Sequence, residues 1–248
     1  NKMDDEAKKS FQNAILANPK NADAHYRLGL LQYEEKKYSQ AIQSFNRALA
    51  LQPEFPKALY SRGLAYLKAD DKSSAIKNFQ AAVAQDPKMD RAYYNLGDIY
   101  LSSKNYGEAL KYFQKDMELR PDNPATAFKI GETYHEMGSA TNAENFYQKT
   151  LDLDPNYYQA YYNRGLLLAQ KGKFNEALEQ YRRAIGIKPD DVPTLYEMGK
   201  AYEGIKDDES AIEHYTKAIT RNPNYDKAYI NLGRLYKSKK LYEKAIEL

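Results

Sequence analysis

The sequence predicts an all-α fold, an α-solenoid of tandem 34-residue helix-turn-helix units. Three sets of columns carry that prediction. Pro19, Pro53, Pro87, Pro121, Pro155, Pro189 and Pro223 are each 34 residues apart, with no insertion or deletion between them. Glycine keeps the same register at Gly29, Gly63, Gly97, Gly131, Gly165, Gly199 and Gly233, as does alanine at Ala7, Ala41, Ala75, Ala109, Ala143, Ala177, Ala211 and Ala245. An aromatic column runs through Phe11, Phe45, Phe79, Phe113, Tyr147, Tyr181 and Tyr215.

Between the columns, apolar residues recur at helical spacing on either side of a short polar break. Each unit therefore reads as two amphipathic helices of about 14 residues. In one unit Leu59, Leu64, Ala65 and Tyr66 mark the first helix, A, while Ala75, Ile76, Phe79, Ala82 and Val83 mark the second, B. Glycine and alanine permit close helix crossings, because a larger side chain at those places would hold the backbones apart. Proline ends helix B. It lacks a backbone donor and pushes the preceding residue out of helical geometry, so the chain turns before the next helix A.

Counted within a unit, an aromatic or leucine stands near position 4, Leu-Gly at 7 and 8, Tyr at 11, Ala at 20, an aromatic at 24, Ala at 27 and Pro at 32. These columns, most completely the stretch AYYNLGDIYLSSKNYGEALKYFQ from Ala92 to Gln114, resemble the tetratricopeptide repeat (TPR) family over essentially the whole chain. The resemblance implies a right-handed superhelix, with helices A lining a concave groove and helices B on the convex side. It divides a single array into a partial repeat at 1–21 (a helix B), full repeats at 22–55, 56–89, 90–123, 124–157, 158–191 and 192–225, and a truncated repeat at 226–248. Since a solenoid needs a polar cap over its last core face, this division reads as part of a longer array.

Composition agrees and narrows the function. Apolar residues make up 42% and charged residues 29%, with 24 Tyr, which suits a folded helical protein and argues against disorder. The 37 basic and 34 acidic residues leave +3, without the clustered positive charge that nucleic acid would require. Cysteine is absent, which excludes disulfides, thiolate nucleophiles and thiolate metal sites but leaves the redox compartment open. No stretch approaches the roughly 18 consecutive apolar residues of a membrane span. A soluble chain is expected, with the cytoplasm and a bacterial envelope or periplasm both open.

Alternate units differ, revealing a 68-residue superperiod. One class opens with DRAYYNLG, YQAYYNRG or DKAYINLG, and the other carries Pro56, Pro124 or Pro193 near its start, where proline favours helix entry. Duplication of a two-repeat ancestor explains the alternation. It also places Asn95, Asn163 and Asn231 on the groove at every second repeat, where side-chain amides could hold an extended peptide backbone. The arrangement resembles the asparagine ladder of O-linked N-acetylglucosamine transferase repeats, but Arg27, Ser61, Lys129 and Glu197 interrupt it. The unit from Pro124 to Tyr157 departs most from the pattern. At its borders Asp116 and Thr150 replace the small alanine of position 27, and a buried Asp116 carboxylate would need a partner, for which Thr126 offers a hydroxyl.

The family's geometry puts positions 2, 5, 6, 9, 12 and 13 of helix A on the concave face. Position 5 gives an aromatic stripe of Tyr26, Tyr60, Tyr94, Phe128, Tyr162 and Tyr196 that ends at Ile230. Around it the candidate groove residues are Tyr26, Leu30, Tyr33, Tyr60, Leu64 and Leu67, an apolar strip for an amphipathic helix or apolar peptide, followed by Tyr94, Asn95, Asp98, Phe128, Lys129, Glu132 and Asn163. The carboxylate clamp of chaperone-binding members does not fit, since position 5 never holds lysine.

No catalytic, cofactor or metal site is predicted. His25, His135 and His214 lie far apart, and the zinc-protease start at His135-Glu136 meets Ser139 where its second histidine must be. Asp152 and Asp154 precede Pro155 at a helix end and read as a turn. The chain thus reads as a non-catalytic protein–protein interaction scaffold binding a protein or peptide in the concave groove. The alternatives are a structural self-assembly module forming a homo-oligomer, and the recruiting arm of an enzyme whose catalytic domain lies outside this sequence.

Overall fold

The computed structural model describes residues 2–247, with side chains described for Glu6 and from Lys8 onward, so Ala7 of the alanine column lies outside the described side chains. The chain divides into two compact units, Asn1–Pro121 and Asp122–Leu248. The first holds α1 (Lys2–Ala17), α2 (Ala22–Glu34), α3 (Tyr38–Leu51), α4 (Pro56–Lys68), α5 (Lys72–Gln85), α6 (Asp90–Ser102) and α7 (Tyr106–Leu119). The second holds α8 (Pro124–Glu136), α9 (Ala140–Leu153), α10 (Tyr158–Gln170), α11 (Phe174–Ile187), α12 (Val192–Gly204), α13 (Asp208–Arg221), α14 (Asp226–Ser238) and α15 (Tyr242–Ile246). Among the described residues there is no strand. Within each unit every helix packs on the next, and α2 meets α4 directly, as α10 meets α12.

One contact recurs inside six of the hairpins. The ring of Phe45 lies on Gly29, Phe79 on Gly63 and Phe113 on Gly97, and in the second unit Tyr147 lies on Gly131, Tyr181 on Gly165 and Tyr215 on Gly199. A Cβ at Gly97 would lie 2.6 Å from the Phe113 ring, well inside van der Waals distance. The glycine column thus exists to admit a ring. All six rings are fully buried, together with alanines of the repeating column such as Ala41, Ala75, Ala109, Ala143, Ala177 and Ala211.

The turns from first to second helix are equally regular. One residue in each takes a left-handed conformation: Lys36, Asp70 and Lys104 in the first unit, then Gly138, Gly172, Lys206 and Lys240 in the second. The next N–H returns to a carbonyl five residues back, as in Asn105 to Tyr100 (2.9 Å) and Lys173 to Leu168 (3.0 Å). This satisfies end carbonyls of the first helix. At the other end of the hairpin, each of Pro53, Pro87, Pro121, Pro155, Pro189 and Pro223 directly follows the residue capping the second helix. The alternating helix starts also differ. Asn123 and Asp191 cap α8 and α12 with side-chain oxygens, whereas Met89, Tyr157 and Tyr225 before α6, α10 and α14 make no side-chain cap.

Asp116 and Thr150, in the otherwise small-residue column, are both completely buried. Thr150 returns its hydroxyl to the Phe146 carbonyl (2.9 Å). The Asp116 carboxylate receives Arg120 Nη2 at 2.6 Å and Nε at 3.1 Å, and the same guanidinium reaches Asp90 at 2.7 Å. Arg120 is a cation one turn along the same helix, close enough to stabilise the buried charge.

Two outcomes follow for stability. Lys104→Gly removes the left-handed strain of a side chain and should stabilise the fold, whereas Gly172→Ala should destabilise it by about 1 kcal/mol, read as opposite shifts of the urea midpoint. Arg120→Ala should cost about 3 kcal/mol by uncompensating the buried carboxylate. Adding Asp116→Ala, the residue usual in that column, should recover most of that loss, and equal stability of the single and double variants would refute a role for the ion pair.

Candidate peptide-binding face

In the first unit the predicted groove residues fall on α2, α4 and α6, the first helices of the hairpins. Tyr26, Leu30 and Tyr33 are half-buried and pack on Ala41, Phe45 and Ala65, the last belonging to the neighbouring first helix α4. Tyr60, Leu64 and Leu67 are half-buried against Ala75, Phe79 and Ala92. The rings are immobilised by other rings. Tyr26 lies 4.8 Å from Phe55, Tyr33 5.5 Å from Tyr38, Tyr60 5.6 Å from Phe79 and Tyr94 5.8 Å from Phe113. Burial holds the Tyr33 and Tyr60 hydroxyls above the ordinary phenol range, so both stay neutral. The six residues therefore form one strip across α2 and α4. Asn95 and Asp98 stand half-buried on α6, and Asn95 donates to the Tyr60 hydroxyl at 3.2 Å and to the Arg91 carbonyl at 2.9 Å.

In the second unit the predicted residues separate by role. Phe128 is buried, with Tyr147 at 5.7 Å and Tyr157 at 5.0 Å, and is a core residue, not a groove contact. Lys129 and Glu132 pair with each other on α8 at 3.0 Å. Asn163 is half-buried on α10. First-helix residues of the second unit also make polar contacts that the sequence reading did not name. The Tyr147 hydroxyl meets His135 Nδ1 at 3.4 Å, and His135 Nε2 lies 3.4 Å from Gln170 of α10. Tyr215 donates to Glu203, whose carboxylate also receives Arg234 at 3.0 Å. Asn231 donates to Tyr196 at 3.0 Å and lies 3.4 Å from the Tyr215 hydroxyl.

Burial raises the phenols of Tyr147, Tyr181 and Tyr215 far above their usual range, with nearby carboxylates adding to the effect. Tyr162 is raised for the same reason, first by burial and then by Glu197. These groups act as neutral hydrogen-bonding hydroxyls. The signal that would have found the Asn95 and Asn231 contacts is the step of 35 residues from the tyrosine at position 5 of one repeat to position 6 of the next, as from Tyr60 to Asn95 and from Tyr196 to Asn231.

Among the described residues no group of three or more His, Asp or Glu is arranged to hold a metal ion. His214 has its basicity lowered, chiefly by burial, and shares its Nδ1 with the Ser210 carbonyl at 2.8 Å. No helix of the described residues is long and apolar enough to cross a membrane.

Tandem helical hairpins with a glycine-on-ring core define a class of helical repeat proteins. Profiles of the tetratricopeptide repeat match residues 5–57, 60–124, 125–157, 146–179, 192–225 and 214–247, and a TPR repeat profile matches 165–205. The chain belongs to the tetratricopeptide repeat family. No curated protein matches it. Solved structures share the fold. The C-terminal part of a TPR repeat-containing protein from Cytophaga hutchinsonii has 22% identity and a TM-score of 0.75 over 92% of this chain and 94% of its own. PilF of Pseudomonas aeruginosa has 19% identity and a TM-score of 0.70 over 84% and 94%, respectively. A tetratricopeptide repeat protein from Parabacteroides merdae has 20% identity and a TM-score of 0.65 over 92% and 90%. Proteins of this fold are in general interaction scaffolds without catalytic activity.

Proposed function

We propose that this chain is a scaffold that holds a protein or peptide against the first helices of its hairpins. The observation that carries the proposal is the strip of Tyr26, Leu30, Tyr33, Tyr60, Leu64 and Leu67 on α2 and α4. These side chains keep part of their surface open while neighbouring rings fix their positions. A rigid half-exposed apolar strip binds at low entropic cost, because little side-chain freedom remains to be lost. Its partner is an apolar peptide or one face of an amphipathic helix, whose residues at helical spacing meet successive side chains. Charged groups around the strip are mostly used internally, as in Arg27 with Asp23 at 2.6 Å, and contribute little to affinity.

The test uses leucines, because the Tyr60 hydroxyl is already tied to Asn95 and its loss would disturb the fold. The chain and a Leu30→Asp, Leu64→Asp variant of matched helicity are compared as affinity baits in a host lysate. The proposal expects specific partners to be captured by the first and lost by the second. Equal capture by both would remove this face from recognition, and recovery of the chain alone would favour self-assembly.

A further inference from the structure

The ring of Tyr112 on α7 lies between two other rings. Tyr100 stands 5.5 Å from it and almost parallel, at 7°, and Tyr93 stands 6.4 Å away at 28°. Tyr93 and Tyr100 are two turns apart on α6, about 10 Å along the helix axis, so Tyr112 is held from both sides. Three repeats further on, the same places hold Leu195, Tyr202 and His214. Tyr202 keeps its ring on His214, at 4.9 Å and 37°. Leu195 has no ring to set against the other side.

A cavity of about 540 Å³ opens there, between α11 and α13. Ile185 of α11, Pro189 just after that helix and Leu195 of α12 form its apolar floor, and His214 and Lys217 of α13 its wall. The volume falls within the range of about 300–1,000 Å³ usual for small-molecule sites. One repeat earlier the same place is filled. Tyr161, the counterpart of Leu195, packs half-buried against the cluster that includes Leu151, the counterpart of Ile185. The cavity is therefore room for a ring that the repeats of Tyr93 and Tyr161 supply from their own chain.

The groups around it define the chemistry that fits. His214 donates Nδ1–H to the Ser210 carbonyl at 2.8 Å, and burial lowers its basicity, so it presents a neutral ring for stacking. The hydroxyls of Thr216 and Thr220 on the rim return to the carbonyls of Ile212 and Thr216, both at 2.8 Å. The cations at the mouth already meet carboxylates, Lys217 with Glu213 and Arg221 with Asp190, each at 2.6 Å. These pairs leave no net charge to draw an anion, whereas a hydroxyl beside Lys217 and Glu213 accepts from one and donates to the other. A precedent lies within the chain: the charge of Lys115, the counterpart of Lys217, is favoured first by Glu118, with the Tyr93 hydroxyl a weaker influence.

The direction of entry decides the source of the ring. A tyrosine of a partner protein enters hydroxyl first and brings that group down on Ile185 and Leu195, where burial without a hydrogen-bond partner is costly. A free molecule lies the other way, with its apolar end on the floor and its hydroxyl at the mouth.

We propose that this cavity binds a free phenol carrying a small apolar para substituent. Its ring stacks on His214 as Tyr93 does on Tyr112, its substituent rests on Leu195, and its hydroxyl meets Lys217 and Glu213. The site is separate from the strip on α2 and α4 and does not depend on the reading of that strip.

The test titrates 4-ethylphenol into the full chain, followed by amide NMR shifts and calorimetry. One site with a dissociation constant of about 1 mM or tighter is expected, with the largest shifts along α13 from His214 to Arg221. Ethylbenzene, 4-ethylbenzoate and N-acetyltyrosinamide should each bind at least about tenfold more weakly. Leu195→Tyr restores the ring found at that place in α6 and α10, and should abolish binding without lowering the melting temperature. His214→Ala removes the stacking partner without adding bulk, and should weaken binding by about tenfold. Tyr93→Leu should open the counterpart cavity on Tyr112 and raise the stoichiometry from one to two. Absence of 4-ethylphenol binding to the parent chain, or binding undiminished in both Leu195→Tyr and His214→Ala, would overturn the site. N-acetyltyrosinamide bound as tightly as 4-ethylphenol would overturn the free-ligand assignment in favour of a partner's tyrosine.

Discussion

The contact on which the structure depends is an aromatic ring resting on a glycine of the facing helix. It fixes how closely the two helices of a hairpin approach, and so where every other side chain of the hairpin points. Phe113 on Gly97 and Tyr181 on Gly165 are the same contact made with different rings. Where the ring is phenylalanine, the ring itself asks for no hydrogen-bond partner. Where it is tyrosine, the hydroxyl is buried against the first helix of its own hairpin and has to find a partner there. Tyr147 and Tyr215 find one and Tyr181 does not.

The turns and breaks serve that contact. The left-handed residue between the helices and the proline after the second helix set the length of each segment, so that glycine and ring meet in register. Because the register never slips, chemistry can vary at other positions without loss of the fold, as consistency between local signals and packing requires. The Asp116–Arg120 pair shows the tolerance of the scheme. A charge enters a column meant for alanine and is kept by an arginine one helical turn away.

Most of the helical architecture was legible in the sequence because proline, glycine and alanine each report one backbone or packing requirement at a fixed interval. The rings of Phe45 and Phe79 and the glycines beneath them could be read together for that reason. The face was less legible. Phe128 belongs to the tyrosine stripe by position but is buried, with Tyr157 at the start of α10 packed on it, a contact that its own helix does not reveal. Asn95, Asn163 and Asn231 are indistinguishable as letters at one repeat position. Their difference lies in whether the residue 35 before them carries a hydroxyl, a relation between two helices that periodicity within one helix does not reveal. Arg120 was missed because a surface arginine near a helix end is ordinarily solvated, and only burial of Asp116 gives it a structural role.

The claim that the glycine column exists to seat a ring is tested most directly by the sign of one stability change. Gly97→Ala in an unconstrained helix would stabilise by about 1 kcal/mol through helix propensity alone. With the Phe113 ring 2.6 Å from the added Cβ, the account predicts instead a loss of about 1–3 kcal/mol in denaturant unfolding. It further predicts that Phe113→Leu relieves much of that loss, so that the double variant is more stable than the two single changes would sum to. A Gly97→Ala chain as stable as the parent or more so, with no coupling to position 113, would contradict it.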